Sequence, residues 1–145
     1  MPMKFSHKLS DAIHILAYLD IFKDGDRSSK QIAASIEANP SVVRSLMSDL
    51  RRAGLIQSQQ GAPNATLAKD PANITLLDVY HALNMNHDLL HIDPKTNPNC
   101  LVGANIQDTL NEVYAQVQVA AEAQLQATTL QDVITGILHR HQNKH

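Results

Sequence analysis

The stretch that most constrains this chain is residues 28–69, SSKQIAASIEANPSVVRSLMSDLRRAGLIQSQQGAPNATLAK. Ser28 followed three residues later by Gln31 reads as a capping box, each side chain satisfying a free backbone N–H of the other. Ile32, Ala33 and Ile36 then form an apolar stripe at helical spacing, which predicts a short helix ending near residue 38. Asn39-Pro40 starts a second helix: Asn is a strong N-cap, and proline fits the first helical position because its missing N–H had no partner there. Val43, Leu46, Met47 and Leu50 repeat at threes and fours along this second helix. Its opposite face carries Ser41, Arg44, Ser45, Ser48, Arg51 and Arg52. Gly54 stops the helix, since glycine takes the left-handed cap conformation without steric cost. Residues 55–59 then read as a strand, Gly61-Ala62-Pro63-Asn64 as a turn, and residues 65–68 as the returning strand.

Two short helices joined by a tight turn and followed by a β-ribbon define a winged helix-turn-helix. A helix with one apolar face and one small, polar, basic face suits a DNA major groove. The plainer alternative is a helical hairpin with a surface β-turn and no nucleic acid.

The rest of the chain fits a mainly α fold with a small β-wing, in which a winged helix-turn-helix domain is followed by a long C-terminal dimerisation helix. Residues 5–22 form a first helix, lined by Leu9, Ile13, Leu16 and Leu19. Lys4 and Lys8 sit at its start, where cations oppose the helix dipole, so phosphate contact is weighed against two solvated lysines. Thr75, with Asp78 three residues on, caps a helix carrying Leu76, Leu77, Val79, Tyr80 and Leu83. Pro94, Asn97, Pro98 and Asn99 keep residues 87–103 irregular. Residues 106–126 form the longest helix, with Ile106, Leu110, Val113 and Val117 along it and alanines toward its end. A single reading head binds weakly and such heads usually meet a palindrome in pairs, so this helix reads as a dimer arm. A last helix is expected over residues 129–138, its stripe of Val133, Ile134, Ile137 and Leu138 covered by a partner subunit or by the first domain, with a polar, frayed tail after it. The expected division is 1–84 for the DNA-binding domain, 85–103 for a sensor or linker loop, and 104–145 for dimerisation helices.

Charge is distributed in keeping with that reading. The formal net charge is −2, but residues 1–72 hold nine Lys/Arg against seven Asp/Glu, and residues 73–145 hold three against seven. A mildly basic head on an acidic body meets phosphates with the right local field. No apolar run approaches the ~18 residues that span a bilayer, and no signal peptide is visible, so a cytoplasmic protein is expected. The single cysteine excludes an internal disulfide framework. No phosphate-binding glycine loop and no nucleophile motif is present, which leaves an enzyme reading unsupported.

The segments Leu50-Arg51-Arg52-Ala53-Gly54-Leu55-Ile56, Leu67-Ala68, Ile74-Thr75-Leu76-Leu77-Asp78-Val79 and Cys100-Leu101-Val102-Gly103 resemble the Rrf-two family of bacterial winged-helix transcription regulators. Ile32-Ala33, Pro40-Ser41, Ser58 and Gly61 add to the likeness, which covers nearly the whole chain. That family includes the iron–sulfur-cluster regulator, the nitric-oxide-sensitive repressor and the cysteine-metabolism repressor. The resemblance implies a homodimeric repressor, a first-helix start that approaches the DNA backbone, and a sensor within the irregular stretch. Two departures stand out: Asn64-Ala65-Thr66 replaces the family's glycine-glycine-aromatic wing tip, and one cysteine stands where cluster-binding members have three.

The expected DNA-binding residues follow. Ser41, Val42, Arg44 and Ser45 would meet base edges, with Arg44 the guanine reader by its fork geometry. Ser28, Ser29, Lys30, Arg51, Arg52 and Gln59 would hold phosphates; Gln31, Pro40, Lys4 and Lys8 complete the surface. Double-stranded DNA and a second copy of the chain are the expected partners, with no membrane, no cofactor and no metal. Cys100 is the sensor candidate, set against the commoner role of a free cysteine as a small buried hydrophobe. His87 and His91, four apart, would share a face if helical and could hold a metal with Asp88, Asp93 or Cys100; two surface histidines is the simpler reading. An interaction module on the same scaffold, binding a protein through the second helix, is the alternative function.

Overall fold

The structure is a computed structural model that describes residues 7–58, 64–83 and 89–144. Its core forms where the apolar stripes of the first four helices meet. Ile15, Leu16 and Leu19 of α1 (Lys8–Ile21) bury against Ile32 of α2 (Ser29–Ile36) and against Val43 and Leu50 of α3 (Pro40–Arg52). Val79 of α4 (Leu76–Ala82) closes the cluster from below. Strands β1 (Ile56–Ser58) and β2 (Ala65–Leu67) pair antiparallel in the register Ile56↔Leu67, Gln57↔Thr66, Ser58↔Ala65. Period-two alternation turns Ile56 and Ala65 into the core while Gln57 and Thr66 stay in solvent. This is the expected wing, on the expected mainly helical fold.

Local chemistry accounts for the turns. Asn39 caps α3 through its side-chain oxygen, which accepts from the Ser41 N–H at 3.0 Å, with Pro40 at the first helical position. Gly54, at φ 78°, ends α3: its N–H reaches the Arg51 carbonyl and the Leu55 N–H reaches the Leu50 carbonyl. That pair of bonds is a Schellman closure, and it aims β1 back across the domain. Thr75 and Asp78 make the full reciprocal box expected of them, at 3.0 Å in each direction. The box at Ser28 is only half made. Ser28 Oγ accepts from the Gln31 N–H, but the Ser28 N–H donates to Asp26 Oδ1 at 2.9 Å in place of the Gln31 side chain.

The C-terminal half departs from expectation in two places, the start of its long helix and the end of its last one. Helix α5 (Leu101–Ala127) begins five residues before the expected start at 106, because no proline follows Pro98 in this stretch and Gly103 is tolerated inside the helix. Helix α6 (Leu130–Lys144) runs through the expected frayed tail: the residues after 138 contain neither proline nor glycine, and Arg140 and Asn143 each bond the residue four back. Helix α6 also packs on α1, with Leu130 and Ile134 buried in the same cluster as Leu16. A backbone bridge fixes it there, with the Leu130 N–H on the Ile74 carbonyl and the Leu76 N–H on the Thr128 carbonyl, at 2.8 and 2.9 Å.

Residues 89–100 form no helix, yet they are not loose. Residues 89–96 lie along α5 as a strap, held by the Leu89 N–H to Gln118 Oε1, Gln107 Nε2 to the Asp93 carbonyl, and Thr96 Oγ1 to the Gly103 carbonyl. The arithmetic agrees: seven extended residues and fifteen helical residues both span about 22 Å. Residues 97–100 turn into the helix, with the Cys100 N–H on the Asn97 carbonyl. Gly103 permits the close approach, since a Cβ there would meet the Asn97 carbonyl oxygen at 2.3 Å. Pro94 suits a strap that needs no ladder N–H from it.

Candidate nucleic-acid interface

Helix α3 divides cleanly. Val43, Leu46, Met47 and Leu50 are buried, while Ser41, Val42, Arg44, Ser45, Ser48, Arg51 and Arg52 are exposed. The division follows directly from 3.6-residue periodicity, with the buried side fixed by α1 and α2. Burial on one face and a capped, proline-started N-terminus hold the opposite face at a fixed angle to solvent.

Three cations and two hydroxyls converge beside that face. Ser29 of α2, Arg44 and Arg51 of α3, and Ser58 of β1 line a hollow of about 250 Å³, floored by Arg27 and Ala65. Arg51 Nη2 donates to Ser58 Oγ at 2.9 Å, tying the helix to the wing. Arg52 instead pairs with Asp49 one turn back, at 3.3 Å. Arg44 has no such partner among the described residues. A hollow of this size with guanidinium groups and hydroxyls at its edge matches the donor set that phosphate oxygens require.

Arg27 was not singled out by sequence, and it is the buried cation of this site. Its Nε donates to the Ala65 carbonyl at 3.0 Å, its Nη1 to the carbonyls of Phe22 and Gly25 at 3.4 Å and to that of Lys23, and its backbone N–H to Asn64 Oδ1 at 3.0 Å. One side chain thereby staples the turn after α1 to the wing and leaves its charge under the hollow. No sequence signal marks it: an arginine in a Lys-Asp-Gly-Asp-Arg turn reads as solvated. Beside it, hydrogen bonds from the Ser28 N–H and then its hydroxyl hold the Asp26 carboxyl below its ordinary range.

The remaining expected residues lie around rather than in the hollow. Lys30 and Gln31 are exposed on α2, Ser28 caps it, and Pro40, Ser41, Val42 and Ser45 form the first turns of α3. Lys8 stands exposed at the start of α1, outside the hollow. Lys4 and Gln59 fall outside the described residues.

Cys100 is exposed, as the N-cap residue of α5. It therefore adjoins the helix directly, ahead of the expected start at 106, and it is not the small buried hydrophobe. Hydrogen bonds from the backbone N–H groups of Gly103 and then Val102 lower its thiol pKa from the ordinary value. His91 and Asp93 belong to the non-helical strap, so the shared helical face expected of His91 is not formed there; His87 and Asp88 fall outside the described residues.

A helix-turn-helix with a basic, exposed second helix and an adjoining β-wing defines a winged-helix regulator. The family profile described as Rrf2, iron-dependent transcriptional regulator, matches residues 5–136. YwnA of Bacillus subtilis, described as a candidate HTH-type transcriptional regulator, is 42% identical over 130 residues, which cover 90% of this chain and 96% of YwnA. A crystal structure of a candidate DNA-binding protein is 40% identical with a TM-score of 0.70, over 88% of this chain and 98% of that one. The IscR structure from T. potens is 26% identical with a TM-score of 0.66, over 94% of this chain and 90% of that one. The chain belongs to the Rrf2 family of transcriptional regulators. It is not an enzyme.

The family's iron–sulfur centre does not fit the residues present. A cluster needs thiolates at most of its iron positions, and the sequence holds one cysteine. Among the described residues no three His, Cys, Asp or Glu side chains come together in a metal-binding group, and no helix is long and apolar enough to cross a membrane.

Proposed function

We propose that this protein is a homodimeric repressor that reads a palindromic operator, with α3 in the major groove and the wing against the flanking backbone. The observation that carries the reading is the two-faced α3, whose exposed residues are hydroxyls and arginines apart from Val42, beside the hollow shared with the wing. Ser41, Val42, Arg44 and Ser45, on the first turns, are the base-contacting set. Ser28, Ser29, Lys30, Arg51 and Arg52 are the phosphate-contacting set, and the Arg51–Ser58 bond holds the wing in register with it. Lys8 is a further backbone contact.

Fluorescence anisotropy on a duplex from upstream of the protein's own gene, across a salt series, tests this. Binding that exceeds scrambled DNA and falls linearly in log K against log salt is expected. Salt-insensitive association with a protein and none with DNA would replace the regulator by an interaction scaffold. Arg44→Ala is expected to lose about 1–3 kcal/mol of discrimination at one base pair. Equal weakening on every sequence would instead make Arg44 a phosphate contact, which its place beside Arg51 also allows.

Cys100 is the candidate signal receiver, supported by its exposure and lowered pKa. Because the thiolate is the reactive form, iodoacetamide alkylation should rise with pH through a midpoint below that of an unstructured cysteine peptide measured alongside. A midpoint at or above that value would remove Cys100 from the role. Operator binding that survives oxidation of the wild type and is unaltered in Cys100→Ser would do the same.

A further inference from the structure

We propose that the groove between α1 and α6 binds a small, uncharged organic molecule, apolar over most of its surface and carrying one hydroxyl-like group. The groove has a volume of about 450 Å³, within the range of small-molecule sites. Ile13 and the Tyr18–Phe22 ring pair, 4.6 Å between centroids, form one wall, and Ile137 of α6 forms the other.

The lining fixes the chemistry of the occupant. Among the described lining residues there is no Asp, Glu, Lys or Arg, so a charged ligand would lose its water without gaining a permanent counter-ion. Of the polar lining side chains, Ser10 donates to the His7 carbonyl at 3.2 Å and Tyr18 to the Asp26 carbonyl at 3.4 Å, while His14 Nε2 and Ser35 Oγ pair with each other at 2.8 Å. Whichever of the two donates, Ser35 keeps a further hydrogen-bonding function, a free O–H in one case and lone pairs in the other. A single hydroxyl on an otherwise apolar molecule satisfies that arrangement. A cationic or anionic effector does not.

The site is also placed to act on the reading head. Ser35 lies on α2, next to Ile36 and the left-handed Glu37, φ 61°, which turns the chain toward Asn39 and α3. A molecule lodged between α1 and α6 with its hydroxyl on Ser35 bears directly on the first helix of the helix-turn-helix. This coupling rests on the regulator reading above; the binding site does not.

The test is a fluorine NMR titration of the full chain with para-trifluoromethylphenol. Saturable binding of one molecule per chain is expected, tighter than about 1 mM. The charged analogue para-trifluoromethylbenzoate should bind at least about tenfold more weakly. Val133→Trp, which fills the groove, should weaken the phenol by about tenfold or more. Should that variant not fold, exposed Ser35→Ala reads the same site, with a loss of at least about threefold. Leu138→Trp, exposed and outside the lining, should change nothing. Unsaturable binding, equal affinity for the benzoate, or indifference of the phenol to Ser35→Ala in folded protein overturns the proposal. So does probe binding that falls as protein concentration rises, which would put a second copy in the groove. Operator anisotropy at saturating phenol is run in parallel, with a shift of about fivefold or more expected. An unmoved affinity in protein that binds the operator removes the coupling, whereas protein that binds no duplex fails the regulator reading and leaves the titration to decide the site.

Discussion

Replacing both Val113 and Val117 with glutamate is expected to yield a monomer and to weaken operator binding at least about a hundredfold. Helix α5 is 27 residues long, about 40 Å by its rise, and none of its residues is buried in the single chain. The apolar positions expected along it are covered unevenly. Ile106, Leu110, Ala121 and Leu125 are half-buried. Val113 and Val117, on the same stripe as Ile106 and Leu110, remain 48% and 41% exposed, next to Val102 at 62%. Valines in a row on a long helix that packs only lightly on its own domain are the material of a dimer seam. Paired heads gain from effective concentration, so losing the seam costs far more affinity than losing any single contact. Sedimentation velocity and operator anisotropy on the double variant check this. A variant that stays dimeric, or a monomer that keeps wild-type affinity, would refute the assignment of α5 as the arm.

The second large effect is on stability. Leu130→Ala should destabilise the fold by about 2–5 kcal/mol, the usual cost of truncating a fully buried leucine. Leu130 is 0% exposed and joins α6 to the core of α1, α3 and α4, and its own N–H is bonded to Ile74. A truncation there opens a void at the junction of two chain segments, with little freedom to collapse. The midpoint of thermal unfolding should fall by roughly 10 °C at fixed protein concentration. Leu138→Ala, on the same helix and 42% exposed, should stay within about 0.5 kcal/mol of the wild type. Equal effects at the two positions would mean that α6 is not part of the folding unit.

These two effects separate what the sequence disclosed from what it concealed. The elements of residues 28–58 were readable because their signals are local: Asn39-Pro40, the glycine after α3, and stripes whose buried members are those that periodicity selects. The Thr75–Asp78 box was readable for the same reason. Contacts between distant segments left no such mark. Arg27 reaches Ala65 across 38 positions, and its burial comes from carbonyls that no side-chain pattern announces. The docking of α6 on α1 was one of two open expectations, because an apolar stripe states that it must be covered and not by what. The stretch is irregular as expected, but its course along α5 was not legible, since prolines and asparagines exclude helix equally well in a loop and in an extended chain laid on a neighbour. In the candidate site, α3 exposes Arg44 and Arg51 as its period requires, while the hollow that unites them with Ser29 and Ser58 needed the fold to appear.

The strap has a consequence for which changes of length the chain can accept. Its residues advance about 3.3 Å each against 1.5 Å for those of α5, so one inserted residue slides it past about two helix positions, more than half a turn. The same insertion reverses which side of the strap faces the helix. Placed between Asp93 and Thr96, it takes the bonds at Gln118 and Gln107 out of register while Thr96 stays on the Gly103 carbonyl. Two inserted residues restore the facing side and advance the strap by little more than one helical turn. Related chains that keep this strap should therefore differ in length here by even steps, and a one-residue insertion should be accompanied by a compensating change in α5.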